Sequence, residues 1–299
     1  MVYMFEVRPY EYPITAIPTL VLAVVPIILN ILIIRVFFTN PKFKTQISFV
    51  IIANLCIFES LLLLVYGIFA IFTLTASVFH PVIENLVVGL LDTAWYGLFL
   101  CSTLLAFNRF VVLSEIARLR NRFYKISLGL IWVVCLAHVI VSNTPLVKYV
   151  YWIDLALASL DFTDTWSIAF NDFRYYFTIV VMCLSLLLYI LIVLALIRKR
   201  RQVTSNREIL SNAEMRVMIQ AFVIFLVCAV NVTISYKAAQ YLDIRSVAMH
   251  VLGTIVQFNF GFANPILYLV FNRWGAEDVA VREVYGESGV FEEDGYEYV

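Results

Sequence analysis

The sequence predicts an all-α membrane protein: a seven-transmembrane helix bundle with its N-terminus outside and its C-terminus inside. Three observations carry the prediction. The composition suits a lipid environment, with 63% hydrophobic and only 14% charged residues among 299, and a mean hydropathy of +0.91. Soluble domains run nearer half apolar and a quarter charged. The apolar residues gather into seven runs, each reaching the ~20 residues a helix needs to cross hydrocarbon. The basic residues between runs fall unevenly on the two sides.

In order, the runs cover residues 14–38, 47–73, 83–113, 125–147, 173–197, 214–239 and 246–271. The first contains "VVPIILNILIIRVF" and reads as a spanning helix that also targets the chain. It is long, follows Pro13 and lacks the basic stretch that precedes a cleaved signal. "TNPKFKTQ" separates it from the second. Glu84, Asp92 and Asn108 interrupt the third, which stays helical in this reading because a span lined by protein tolerates polar groups that lipid does not. "SEIARLRNRFY" leads into the fourth, and the fifth ends on "RKRRQVTSNREILSN". The sixth carries no proline. The seventh holds "GFANPILYLVFNRW", where Pro265 removes a backbone donor and crowds the carbonyl one turn back.

The gaps after the first, third and fifth runs carry Lys42, Lys44, Arg118, Arg120, Arg122, Lys125, Arg198, Lys199, Arg200, Arg201 and Arg207. The other side offers Arg8, Lys148, Arg174, Lys237 and Arg245. This asymmetry places the first group in the cytoplasm. The expected layout is an extracellular segment 1–13, a seven-helix domain 14–275 and an acidic, disordered cytoplasmic tail 276–299.

Several function classes drop out. Formal net charge is zero, so nothing argues for nucleic acid or another polyanion. Cys56, Cys101, Cys135, Cys183 and Cys228 all fall inside spans and read as small apolar packing residues, with no extracellular disulfide or thiolate metal site expected. His80, His138 and His250 lie in different segments without paired ligand spacing. No Gly-rich phosphate loop or nucleophile elbow is present. Neither an enzyme nor a cofactor is predicted.

Polar groups within the apolar helices remain to be explained. Asn30 lies in the first run, Asn54 and Glu59 in the second ("ANLCIFESL"), and Asn108 and Arg109 close the third ("LLAFNRFVVL"). Trp132, Tyr189 and Asn264-Pro265-Ile266-Leu267-Tyr268 follow in the fourth, fifth and seventh. An ionisable group at the bilayer centre costs at least ~2.5–3.5 kcal/mol on insertion scales, so such groups should face the bundle and find one another. The expected intramembrane cluster is Asn30, Asn54, Glu59 and Asn264.

On these residues the chain resembles the rhodopsin-like G-protein-coupled receptors, and more narrowly the nematode serpentine chemoreceptors. Asn264 to Tyr268 resembles the family's NPxxY motif, and Asn108-Arg109-Phe110 stands where the family has Asp/Glu-Arg-Tyr. Asn54 and Glu59 are similar to the helix 2 pattern Asn-Leu-Ala-x-x-Asp, while Asn30, Trp132 and Tyr189 match single positions on helices 1, 4 and 5. The resemblance implies a plasma-membrane receptor, with a sensory cilium as one setting. It would sense a small molecule or peptide and activate a heterotrimeric G protein through helix rearrangement. Asn108, Arg109, Tyr189, Asn264, Pro265 and Tyr268 would form the coupling switch. Pro265 is then a switch joint, or else a kink that merely shapes the bundle.

Departures from the family pattern narrow what carries over. Glu84 stands where the resemblance implies a disulfide cysteine, and the stretch 148–172 offers no partner, so an unpinned second outer loop is expected. The sixth span lacks the Cys-Trp-x-Pro toggle, and Phe258 stands where an opsin needs its retinal lysine. Asp92, Tyr96, Gln257 and Asn259 are candidates for a ligand pocket, since Asp92 and Tyr96 share a helix face; structural interhelical hydrogen bonds explain them as well. A transporter would need an inverted repeat and a channel subunit a polar stripe. Both remain as alternatives with less in their favour.

Overall fold

The computed structural model describes residues 11–39, 46–114, 119–153, 157–161 and 165–202, together with positions 222, 226 and 230. Asn264, Pro265, Tyr268, Gln257 and Asn259 lie outside the described residues, as does nearly all of the sixth span. Five helices are described: α1 Glu11–Thr39, α2 Ile47–Thr75, α3 Pro81–Ser114, α4 Asn121–Ser142 and α5 Thr165–Gln202. A two-stranded hairpin, β1 Tyr149–Trp152 and β2 Leu157–Leu160, joins α4 to α5. All five helices are long and apolar enough to cross a membrane.

The third span, interrupted by polar residues in the sequence, is a continuous helix of 34 residues. Pro81 opens it, at the position where a missing backbone N–H costs nothing. His80 Nδ1 accepts the Val82 amide across that opening turn at 3.1 Å. α4 stops at Ser142, short of the predicted 147, because Asn143 caps it through Val139 and Ile140 and Pro145 cannot continue it. α5 begins at Thr165 instead of 173, since its first turns are helical but too polar to count as a hydrocarbon run.

Packing sets α3 at the centre of the described bundle. α1 lies along α2, α2 against α3, and α3 touches both α4 and α5. The main core gathers Ile51, Leu55, Phe58 and Leu62 of α2 with Ala94, Leu98, Cys101 and Leu105 of α3 and Leu128, Ile131 and Cys135 of α4. Phe58 stacks on Trp132 with ring centroids 4.4 Å apart and presses against Gly97, where a side chain would collide with its ring. Cys56, Cys101 and Cys135 are buried as expected of packing thiols, whereas Cys183 is exposed on the side of α5.

The loop between α4 and α5 departs from expectation. Instead of running unpinned, it folds antiparallel, pairing Tyr149 with Leu160 and Tyr151 with Ala158. "KYVYW" alternates, so Tyr149 and Tyr151 are buried while Val150 and Trp152 face away. Tyr149, Tyr151 and Leu160 join Val65, Phe69, Phe72, Val87 and Val88 in a second core that closes this end of the bundle.

Candidate functional site

At the hairpin end, three residues of α3 hold β1. Glu84 Oε1 accepts the Tyr151 amide at 2.6 Å, Asn85 Oδ1 accepts the Tyr149 amide at 3.0 Å, and Asp92 Oδ2 accepts the Tyr149 hydroxyl at 2.6 Å. Asn85 Nδ2 also donates to the Ser142 carbonyl at the end of α4, at 2.9 Å. Tyr151 reaches α2, sharing a hydrogen bond with Thr73 at 2.8 Å and stacking on Phe69. Glu84 thus fastens the loop from the position where a disulfide cysteine was implied. Burial pushes the Tyr151 hydroxyl up to about 12, although the Thr73 bond pulls the other way. Burial also pushes the Tyr149 hydroxyl up, helped by the Asp92 carboxylate beside it. Both hydroxyls therefore stay protonated and remain available as donors.

Beneath the hairpin, Asp92 lies 11 residues into α3, ~16 Å along its axis. Its second oxygen pairs with Arg174 of α5, Oδ1 to Nη2 at 2.8 Å. The carboxylate therefore has one partner on α5 and one on the hairpin, joining three elements at a point. A buried pair of this kind adds little net stability, but loss of one partner costs ~3–5 kcal/mol because the other charge is stranded. Tyr96, one turn further along α3, is buried edge-on between His138 of α4 and Phe177 of α5, at 4.6 and 5.0 Å. Of the four pocket candidates, Asp92 and Tyr96 meet here.

The other end of α3 holds the coupling candidates. Asn108 is ~24 Å further along the helix than Asp92. It is fully enclosed, and its Oδ1 accepts the Ser48 hydroxyl of α2 at 2.9 Å. Arg109 beside it is half-buried. Tyr189 of α5 packs with Leu188, Ile192 and Ala106, and meets Phe222 edge-on at 5.7 Å. Asn108, Arg109 and Tyr189 thus share one end of the bundle.

Midway, Asn30 of α1 and Glu59 of α2 are both wholly buried. The Asn30 amide lies close enough to act on the Glu59 carboxyl, yet neither group closes a hydrogen bond of standard geometry among the described residues. Asn54 does not belong with them. Its Oδ1 accepts Trp132 Nε1 at 2.9 Å and its Nδ2 donates to the Val50 carbonyl, on the α4 side of α2. Five residues along a helix turn the side chain ~140° from Glu59, and the polar set expected from sequence divides accordingly.

Sequence reasoning missed Arg174, Tyr149 and His138. Arg174 counts in the sequence only toward the outer-side charge, at the edge of the fifth run, although α5 carries it into the bundle. The alternating tyrosines of "KYVYW" are a strand signal, but one only four residues long. His138 gave none, because only its neighbours across the α3–α4 contact reveal its setting.

Comparison with other proteins agrees with this architecture. No curated protein matches the chain. The crystal structure of squid rhodopsin is similar over 99% of this chain and 91% of its own, with a TM-score of 0.79 and 13% identity. That likeness shows the fold alone, a seven-helix bundle of the rhodopsin kind. The model of the serpentine type 7TM GPCR chemoreceptor Srt family matches residues 4–281. The chain belongs to this Srt family of serpentine G-protein-coupled chemoreceptors, and is a multi-pass membrane protein.

Proposed function

We propose that this chemosensory receptor reads its ligand at the hairpin end, around Asp92 and Tyr96, and signals through Asn108 and Arg109 at the opposite end to a heterotrimeric G protein. The hairpin end then faces outward with the N-terminus, and the basic gaps face the cytoplasm. The carrying observation is the Asp92–Arg174 pair, which ties α3 to α5 at 2.8 Å directly beneath the hairpin. A ligand that engages either charge or its neighbours differently in two arrangements of these helices shifts their balance by that difference. Tyr189 on α5 lies beside the inner end of α3, so relative movement of the two helices reaches Arg109 without any further relay.

In this reading Asn264 completes the polar set begun by Asn30 and Glu59, while Pro265 and Tyr268 supply the joint and the hydroxyl that reset the seventh span. Gln257 and Asn259 would close the pocket from that side. Asn108 takes the place of an acidic neighbour for Arg109, and its bond to Ser48 anchors the helix end without an ion pair.

The test is nucleotide exchange on purified G protein by membranes carrying the Arg109→Ala variant. Surface level should match wild type while stimulated exchange falls at least about tenfold, the size of one lost charge-assisted contact. Undiminished exchange at equal surface level would remove Arg109 from the coupling role.

A further inference from the structure

Among the described residues at the pocket end, His138 Nε2 is a buried polar atom that the network of helix contacts leaves open. Thr93 of α3 has a single hydroxyl hydrogen, and its Oγ1 lies 2.8 Å from the Gly89 carbonyl oxygen. Thr93 Oγ1 also meets His138 Nδ1 at 2.9 Å. Assigning that hydrogen to the Gly89 carbonyl, the back-bond a helical threonine makes to the residue four before it, leaves the imidazole as donor and the proton on Nδ1. In the neutral ring Nε2 is then a bare acceptor. It has no hydrogen-bond partner among the described residues, although His138 is only 8% exposed. An unmatched buried acceptor is costly, so one kept in a native site calls for a donor.

Neighbouring groups say what kind of donor fits. The ring is flanked by Tyr96 at 4.6 Å and Phe170 at 5.5 Å, with Phe177 on the far side of Tyr96. These make an aromatic wall that carries the Tyr96 hydroxyl. The charges close by are Asp92 and Arg174, and they neutralise each other, with the remaining carboxylate oxygen taken by Tyr149. A cation arriving here finds both Asp92 oxygens in use and Arg174 repelling it. An anion competes with Asp92 for Arg174, and a displaced Asp92, 8% exposed at its side chain, is stranded.

We propose that His138 Nε2 is the ligand-reading acceptor of this receptor, and that the ligand is a small neutral molecule with one hydroxyl donor on an apolar body. The inference rests on the reading of the hairpin end as the ligand site, and it adds the chemical class. Binding joins the donor to α4, while the apolar body packs on Tyr96 and so on α3 and α5.

The experiment uses full-length purified receptor and two matched series of probes. One is 2-phenylethanol, its methyl ether, phenylacetate and 2-phenylethylamine; the other is 1-hexanol with its ether, carboxylate and amine. Melting temperature is followed against probe concentration. At saturation the alcohols should raise it by about 5 °C, and the ethers, carboxylates and amines should not. His138→Leu, which has no acceptor, should weaken the alcohol at least about tenfold. His138→Gln, which offers a carbonyl oxygen, should restore most of the affinity and controls for folding. Ethers binding as well as alcohols, or a His138→Leu variant that binds like wild type, overturn the inference, as does a panel in which no alcohol binds. Tyr96→Ala separates the two claims. Binding lost in Tyr96→Ala but untouched in His138→Leu leaves the hairpin-end site standing and removes the hydroxyl reading, while binding untouched in both removes the site as well.

Discussion

Gly97 lacks a side chain because Phe58 occupies the space that one would need. Phe58 has little freedom to yield, being wholly buried and stacked on Trp132, whose indole is itself tied to Asn54. Gly97→Ala should therefore destabilise the receptor by about 1–3 kcal/mol, the usual penalty for overpacking a tight contact. Thermal unfolding in detergent checks this, and an unchanged melting point would mean the α2–α3 contact is looser than described. The same residues show what was readable in advance. Asn54 and Trp132 were singled out from sequence, but their bond to each other was not. A list of polar residues within apolar helices gives candidates, while rotation around each helix decides who meets whom.

For the elements, the hairpin is the clearest case. A loop lacking a cysteine pair has to be held by other means, and here a row of α3 side chains does so: Glu84, Asn85 and Asp92. A hydrogen bond to a charged acceptor contributes about 1.5–3 kcal/mol, so the two to Glu84 and Asp92 approach what a cross-link supplies while remaining reversible. Glu84→Ala should free the Tyr151 amide, speeding its hydrogen exchange at least about tenfold and opening the segment 149–160 to protease. Glu84→Gln, which keeps an acceptor oxygen, should fall between. Equal protection in all three proteins would show that Glu84 does not hold the strand. Helix positions were legible from apolar runs because hydrocarbon thickness sets a minimum length, while the full length was not, α5 running from Thr165 to Gln202. The strands were less so, since four residues of alternating burial are a weak signal beside runs of twenty or more.

Across the whole molecule, α3 is the shaft on which the two ends sit. Its contact with α5 is polar at two levels, Asp92 with Arg174 near the hairpin and Thr103 with Ser185 deeper in. The second is a hydroxyl pair 2.6 Å apart, and each hydroxyl also reaches its own helix, Thr103 to the Phe99 carbonyl and Ser185 to the Val181 carbonyl. Two hydrogens serve three contacts, so one hydroxyl always gives up its own helix to bond across. Such interhelical bonds contribute ~0.6 kcal/mol on average inside membranes. A double-mutant cycle of Thr103→Val and Ser185→Ala should return a coupling of that size, with both variants slightly less stable than wild type. Strictly additive losses would mean that the hydroxyls do not act as a pair. An energy near RT is small against stability but enough to shift two helix arrangements by about threefold.

Membrane insertion and the number and order of spans were written in composition, run length and motif. Those features follow from the cost of placing polar groups in hydrocarbon, a cost every residue bears locally. Pairing depended on the assembled bundle. Arg174 reads as an outer-side charge until α5 turns it toward Asp92, and Glu84 reads as an intrusion until a strand lies across it. His138 reads as incidental until Thr93 fixes which of its nitrogens is left open. Each is a contact between residues far apart in the chain, and the geometry that joins them exists only once the helices have packed.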